Sequence, residues 1–430
     1  MSAAPAYDAA ERAAREGYGK LVAFLAARCG DVDAAEDALA DAFTTALERW
    51  PADGVPRNPE AWLLVAARRR FVDRVRRERS ADRAHDRLTD AARDAQAAFE
   101  RGEMIDDERL ALIFACAHPA IARELRAPLI LQTILGLDAA RIASAFLTSP
   151  ATMSQRLVRA KRKIAAAHIP LRIPPDENLA ERLDGVLDAL YAAFAAGWSD
   201  PIGDDPHTHG LAFEAIWLAR LVAASCPDEP ETLGLLALML HADARRDARR
   251  DATGAYVPLD DQDPTRWDAA AIDEAEALLA RAVRTNRIGR FQLEAAIQSA
   301  YAVRRFGYDL DRSAIVAFYD ALLARTNSPV VAINRAMALG RLHGPNAALA
   351  ALDAAATDPR LATYQPYWAA RADALSRTGN PTAARDAYTR ALGLTVDPAI
   401  RRFLTARATR EGAAPLPDNR RSTPERWRSG

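Results

Sequence analysis

The stretch 138-DAARIASAFLTSPATMSQRLVRAKRKI-164 decides how the rest of the chain is read. Ile142 and Phe146 stand four residues apart on one face of a first helix. Met153, Leu157 and Ile164 do the same on a second, so two apolar stripes can close on one small core. Ser149 before Pro150 marks a stop and restart, because a serine side chain caps free N–H groups and proline is tolerated in the first turn of a helix. The remaining face of the second helix, Gln155, Arg156, Arg159, Lys161, Arg162 and Lys163, carries no acid. A phosphate backbone would select such a face, and its amide and guanidinium groups also suit base edges in the major groove. A solvated basic face on an ordinary helix fits the same letters.

Working outward, alanine and other helix formers dominate, β-branched residues are sparse, and no alternating strand-like run appears. The fold class expected is all-α. With 430 residues the chain has room for two to four domains. A formal net charge of -1 hides local patches of both signs, and lysine occurs only at positions 20, 161 and 163, arginine supplying the other positive charges. Cys29, Cys116 and Cys226 have no metal or disulfide spacing and are expected as buried thiols in a reducing cytoplasm. No apolar run approaches the ~20 residues of a membrane span, so a soluble, cytoplasmic protein without membrane contact is expected.

On the N-terminal side, Tyr18, Leu21, Val22 and Leu25 form a stripe, and Ala35, Leu39, Phe43 and Leu47 form another in 31-DVDAAEDALADAFTTALERW-50. Asp33, Glu36, Asp37 and Asp41 are expected on its exposed face; acids near a helix start are stabilised by the helix dipole, so a structural role and a partner-binding role both stand. Asn58 or Pro59 opens the next helix, EAWLLVAARRRFVDRVRRERS, with Trp62, Val65, Phe71 and Val75 expected inward and seven arginines crowding the rest. Such a density of like charge calls for a polyanion. Residues 81 to 106 read as a polar linker, 107 to 117 and 119 to 135 as two helices, and the proline-rich 169 to 179 as a joint.

Two separated pieces carry a resemblance. DAAEDALADAFTTALERW with NPEAWLLVAARRRFVDRVRR resembles region two of bacterial RNA polymerase sigma factors of the extracytoplasmic-function type. GLDAARIASAFLTSPATMSQRLVRAKRKI resembles their region four, a helix-turn-helix. The resemblance implies a subunit that binds core RNA polymerase and promoter DNA and performs no catalysis. It places Asp37, Asp41, Phe43 and Trp50 against the polymerase clamp. Arg57, Asn58, Trp62, Arg69, Arg70, Arg76 and Arg77 fall on the minus-ten element, with Trp62 also readable as core. Thr152, Ser154, Gln155, Arg156, Arg159, Lys161 and Arg162 fall on the minus-thirty-five element. Departures from the family pattern are Arg69, where relatives often carry Asn, Ser154, where Lys is frequent, and Pro128 at a usually aliphatic position.

The segment 180 to 410 is additional. Trp368, Gly379, Ala384, Tyr388 and Ala391 match a tetratricopeptide-like repeat, with Gly344 in a degenerate earlier copy. A long extension bearing LALMLHADARR and PLDDQDPTRWD resembles one subgroup of these sigma factors and suggests a regulatory protein as a further partner. The expected organisation is region two at 1–80, linker 81–106, region four 107–168, joint 169–179, helical extension 180–410 and a disordered tail 411–430. No cofactor and no metal site is expected: His207 and His209 beside Asp204 and Asp205 are explained by a polar turn, and His118 and His241 by structure. A helical-repeat scaffold, or a ligand-responsive DNA-binding regulator that never touches polymerase, is the alternative.

Overall fold

The computed structural model describes residues 4–78, 105–146, 148–174, 179–199, 210–395 and 397–410. The architecture is all-α: among these residues there is no strand, only an isolated bridge between Arg250 and Tyr256. No helix among them is long and apolar enough to cross a membrane. The expected linker 81–106, except its last two residues, the tail 411–430 and the cluster Asp204, Asp205, His207 and His209 lie outside the described residues.

The chain divides into two compact units, Met1–Pro227 and Asp228–Gly430. The first contains α1 (Ala4–Cys29), α2 (Val32–Asp53), α3 (Pro59–Glu78), α4 (Ile105–Cys116), α5 (Arg123–Thr133), α6 (Ala139–Ala145), α7 (Pro150–Ala166), α8 (Leu179–Ser199) and α9 (Leu211–Ser225). Gly30, at φ +70°, separates α1 from α2, and the Asp31 side chain caps α2 at the Ala34 N–H. The buried face of α2 is Val32, Ala35, Leu39, Ala42, Ala46 and Trp50, whereas Leu47 is 42% exposed. The stripe is thus rotated from the one expected through Phe43 and Leu47, because alanines let α1 and α3 approach closely and the large side chains point elsewhere. The same rotation appears in α3, where Leu63, Leu64 and Ala67 are buried and Trp62 and Val65 are only half-buried.

The first unit joins its pieces through close contacts. A Cβ on Gly19 of α1 would stand 1.9 Å from the Ile134 carbonyl oxygen just past α5, so only glycine permits this approach. Arg28 pairs with Glu108 of α4 at 2.7 Å. Pro128 sits inside α5, which begins one turn earlier, and Gly136, at φ +65°, lies just beyond the helix. Helices α8 and α9, expected in a separate extension, pack here too. The buried Arg126 guanidinium donates to the carbonyls of Ile121 (3.1 Å), Pro119 (3.4 Å) and, on α8, Glu181 (3.1 Å). Arg182 of α8 donates to the Phe114 carbonyl at 3.2 Å. Arg109 of α4 pairs with Glu214 of α9 and lies over the Trp217 ring. Cys116 and Cys226 are buried as expected, but Cys29 is half-buried; burial pushes the Cys116 thiol up to about 12.

The second unit contains α10 (Pro230–Asp243), α11 (Ala269–Val283), α12 (Arg290–Ala302), α13 (Arg312–Thr326), α14 (Pro329–His343), α15 (Pro345–Ala355), α16 (Gln365–Arg377), α17 (Pro381–Leu394) and α18 (Pro398–Arg410). Helix α10 is buried on nearly every side against α11 and α12. From α14 onward the chain runs in helix pairs, α14 with α15 and α16 with α17, turned at Gly344 (φ +91°) and Gly379 (φ +76°). Trp368 packs against the cores of both pairs and donates its indole N–H to the Ala362 carbonyl at 3.0 Å.

His241, near the end of α10, is 2% exposed and neither ring nitrogen is hydrogen-bonded; Nε2 lies 3.4 Å from Glu276 Oε1. Burial, with Arg245 adding to it, pushes its pKa down to about 3. The folded chain therefore holds it neutral, while the unfolded chain takes up a proton below the ordinary value of 6.5. Stability is full above that value and falls as pH drops through the window down to about 3, at roughly 1.4 kcal/mol per pH unit. His241→Leu is expected to flatten this acid limb in melts taken between pH 7 and pH 4. An unchanged slope would assign the limb to other groups.

Candidate nucleic-acid and protein-binding interface

Helices α6 and α7 follow one another across the short turn 146–149. Asp138 caps α6 through the N–H groups of Ala140 and Arg141, both at 2.9 Å, and Ser149 caps α7 through Thr152 N–H at 3.2 Å with Pro150 in the first turn. Such a cap is worth ~1 kcal/mol. Ile142, Met153, Leu157, Ala160 and Ile164 close the small core, but Phe146 does not join it and remains 36% exposed, because α6 ends at Ala145.

Ser154, Gln155, Arg156, Arg159 and Arg162 are exposed along α7, and Thr152 is half-buried, accepting from the Ser149 hydroxyl at 2.8 Å. Lys161 departs from the expected basic face. It is 6% exposed, and its Nζ lies 2.5 Å from Glu36 Oε2 and 3.2 Å from Asp33 Oδ1, both on α2. Lys161 follows Leu157 by four residues, so it shares the buried stripe, and the acids of α2 compensate its charge there. Burial opposes the Lys161 ammonium, but Glu36 and Asp33 outweigh it and hold its pKa above the ordinary value. Glu36 is itself pushed up, by burial first, against the pull of Lys161. Its other oxygen, Oε1, is buried without a hydrogen-bond partner. Two of the four acids expected on the open face of α2 are therefore turned to α7, while Asp37 and Asp41 remain exposed.

Phe43 is half-buried. Trp50, expected at a protein contact, is 2% exposed and meets Trp62 edge-on, with ring centroids 5.5 Å apart and planes at 70°. It follows Ala46 by four residues and so falls on the buried stripe of α2. Trp62 keeps part of its ring at the surface, next to exposed Arg57 and Asn58; Asn58 also caps α3 by accepting from Ala61 N–H at 3.0 Å. Arg69 and Arg70 are exposed, Arg70 reaching Thr45 Oγ1 at 3.5 Å. The backbones of Arg76 and Arg77 belong to α3, and their side chains lie outside the described residues. The expected residues thus form two surfaces: an aromatic, arginine-bearing edge on α3 with the acids of α2 nearby, and an exposed polar and basic face on α7.

Residues 14–81, which span most of α1, all of α2 and α3, match the model of Sigma-70 region 2. The α1–α3 body is similar to Sigma-70 region 2. Residues 182–283 match a family of unknown function, DUF6596; the match begins in α8 and ends with α11. The chain is also 38% identical over 368 residues to an uncharacterized protein of Rhizobium meliloti (strain 1021), covering 85% of this chain and 86% of that relative, and the two belong to one family. No solved structure matches the chain.

Proposed function

We propose that the chain is an alternative sigma subunit of the extracytoplasmic-function type, which binds core RNA polymerase and directs initiation at specific promoters. The observation that carries this reading is the coincidence of the Sigma-70 region 2 match with the α1–α3 body, which bears exposed Asp37 and Asp41 on α2 and exposed Arg57, Asn58, Arg69 and Arg70 at the start and side of α3. The acids complement a basic clamp surface. The half-exposed Trp62 and its polar neighbours suit a base taken out of the stack. The exposed face of α7, Ser154 to Arg159, supplies base contacts in a major groove, and Arg162 supplies phosphate contacts. The helical segment beyond α7 modulates this activity, and its tetratricopeptide-like pairs α14 to α17 offer a surface for a regulatory protein.

The contact between Lys161 and α2 makes the described arrangement a closed one. Elements centred at minus ten and minus thirty-five are roughly 25 base pairs apart, on the order of 80 Å along B-form DNA. A chain whose α7 touches α2 through an ion pair cannot span both. Release of Lys161 from Glu36 and Asp33 is therefore part of engagement, and it frees both the acidic helix and the end of the recognition helix at once.

Asp37→Arg combined with Asp41→Arg tests the reading. Capture of core polymerase from purified components is expected to fall at least tenfold while the fold, followed by circular dichroism, is kept. Undiminished capture would remove the polymerase-binding role from α2.

A further inference from the structure

The second unit holds a cavity of about 530 Å³ whose wall is dominated by arginine. It is formed where the last turns of α14 and α16 meet the first residue of α13 and the turn Gly307–Leu310, and it is lined by Arg304, Arg312, Arg341 and Arg377 against Asp260 and Asp309. We propose that this cavity binds a small phosphate-bearing ligand, a role independent of the promoter-binding reading.

The four arginines differ in what the fold alone asks of them. Arg304 is committed to the structure, donating to the carbonyls of Leu259 at 2.7 Å and Gln262 at 3.0 Å. Arg341 pairs with Asp260 at 2.5 Å, and as a cation in the last turn of α14 it is favourably placed on the helix dipole. Arg377 is also in a last turn, but its carboxylate partner, Asp373, stands 3.9 Å away and is shared with Arg407. Arg312 is the exception. It is the first residue of α13, where a cation opposes the helix dipole, and the capping Asp311 carboxylate is occupied by Ser313 and Ala314. Among the described residues Arg312 makes no ion pair. Arg312 is exposed, and an anion in the cavity would give its charge a partner.

Two further features define the ligand. Asp260 in the cavity wall holds Arg341 through Oδ2, while its Oδ1 is buried without a hydrogen-bond partner, so the carboxylate fixes one of the guanidinium groups in place. At the rim the Tyr308 ring is 69% exposed and lies beside Phe306, itself 61% exposed, with centroids 6.4 Å apart. Guanidinium groups from three separate elements suit the several oxygens of a phosphate better than the two coplanar oxygens of a carboxylate. The volume is that of an ordinary small-molecule site. A phosphorylated sugar or nucleotide, with phosphate on Arg312, Arg341 and Arg377 and a planar group on Tyr308, meets these requirements.

The test uses the full chain with pyrophosphate and ADP as probes, followed by calorimetric titration and thermal melting. Both probes are expected to bind and to raise the melting temperature, because the cavity stitches four elements together. Arg312→Ala with Arg377→Ala is expected to weaken binding at least tenfold, while Arg385→Ala, outside the cavity, leaves it unchanged. Tighter binding of ADP identifies a nucleotide-type ligand, and tighter binding of pyrophosphate a compact phosphate. Failure of both probes to bind, or equal binding by a correctly folded Arg312→Ala, Arg377→Ala variant, overturns the proposal.

Discussion

Lys161→Glu is expected to unlock the first unit. The substitution leaves Glu36 and Asp33 without their cation and adds a third carboxylate at a position where the native side chain is almost fully covered. Removing one partner of a buried pair costs about 3–5 kcal/mol, chiefly through the charge left uncompensated. The loss falls on the α2–α7 contact, so the expected outcome is an earlier denaturant transition together with a larger hydrodynamic radius, the caps and core of α6 and α7 being untouched. Glu36→Lys introduced into the same chain restores an opposite pair and should recover part of the loss. A coupling energy near zero in this double-mutant cycle would show that the ion pair does not hold the helices together.

The second large effect concerns Trp50. Trp50→Ala removes a side chain that is 2% exposed and edge-on to Trp62, and ~3–5 kcal/mol of stability should go with it. Were Trp50 a contact to polymerase, truncation would reduce capture of the enzyme and leave the melting temperature alone. A thermal melt therefore discriminates between the two roles. Trp50→Phe should retain most of the stability, since it keeps a ring against Trp62.

Where the sequence carried local chemistry, it could be read. Asp31, Asn58, Asp138 and Ser149 are caps that announce helix starts, and Gly30, Gly136, Gly344 and Gly379 mark ends. The pair α6 and α7 followed from these signals and from the spacing of Met153, Leu157 and Ile164. Rotations about helix axes were less legible. In an alanine-rich helix the buried stripe is not the stripe of large residues, and α2 turns Ala35, Ala42 and Ala46 inward while Leu47 stays outside. The signal that exposes Trp50 and Lys161 as inward residues was present in their spacing, four after Ala46 and four after Leu157. A basic residue on an apolar stripe is easily assigned to the nearest charged face when its compensating acids lie over a hundred residues away. The cavity of the second unit was not legible at all, since its arginines come from four separate segments that only folding brings together.

The bonds of Arg126 to Glu181 and of Arg182 to Phe114 bear on how this molecule is cut for study. A fragment ending near residue 180 would strip α8 and α9 from α4 and α5, uncovering apolar surface, leaving the Arg126 guanidinium without the Glu181 carbonyl and the Phe114 carbonyl without the Arg182 donor. The natural place to sever the polypeptide is after Pro227, where one self-contained body stops and the next begins. Truncations made there keep the first body whole, whereas shorter ones strip helices from it.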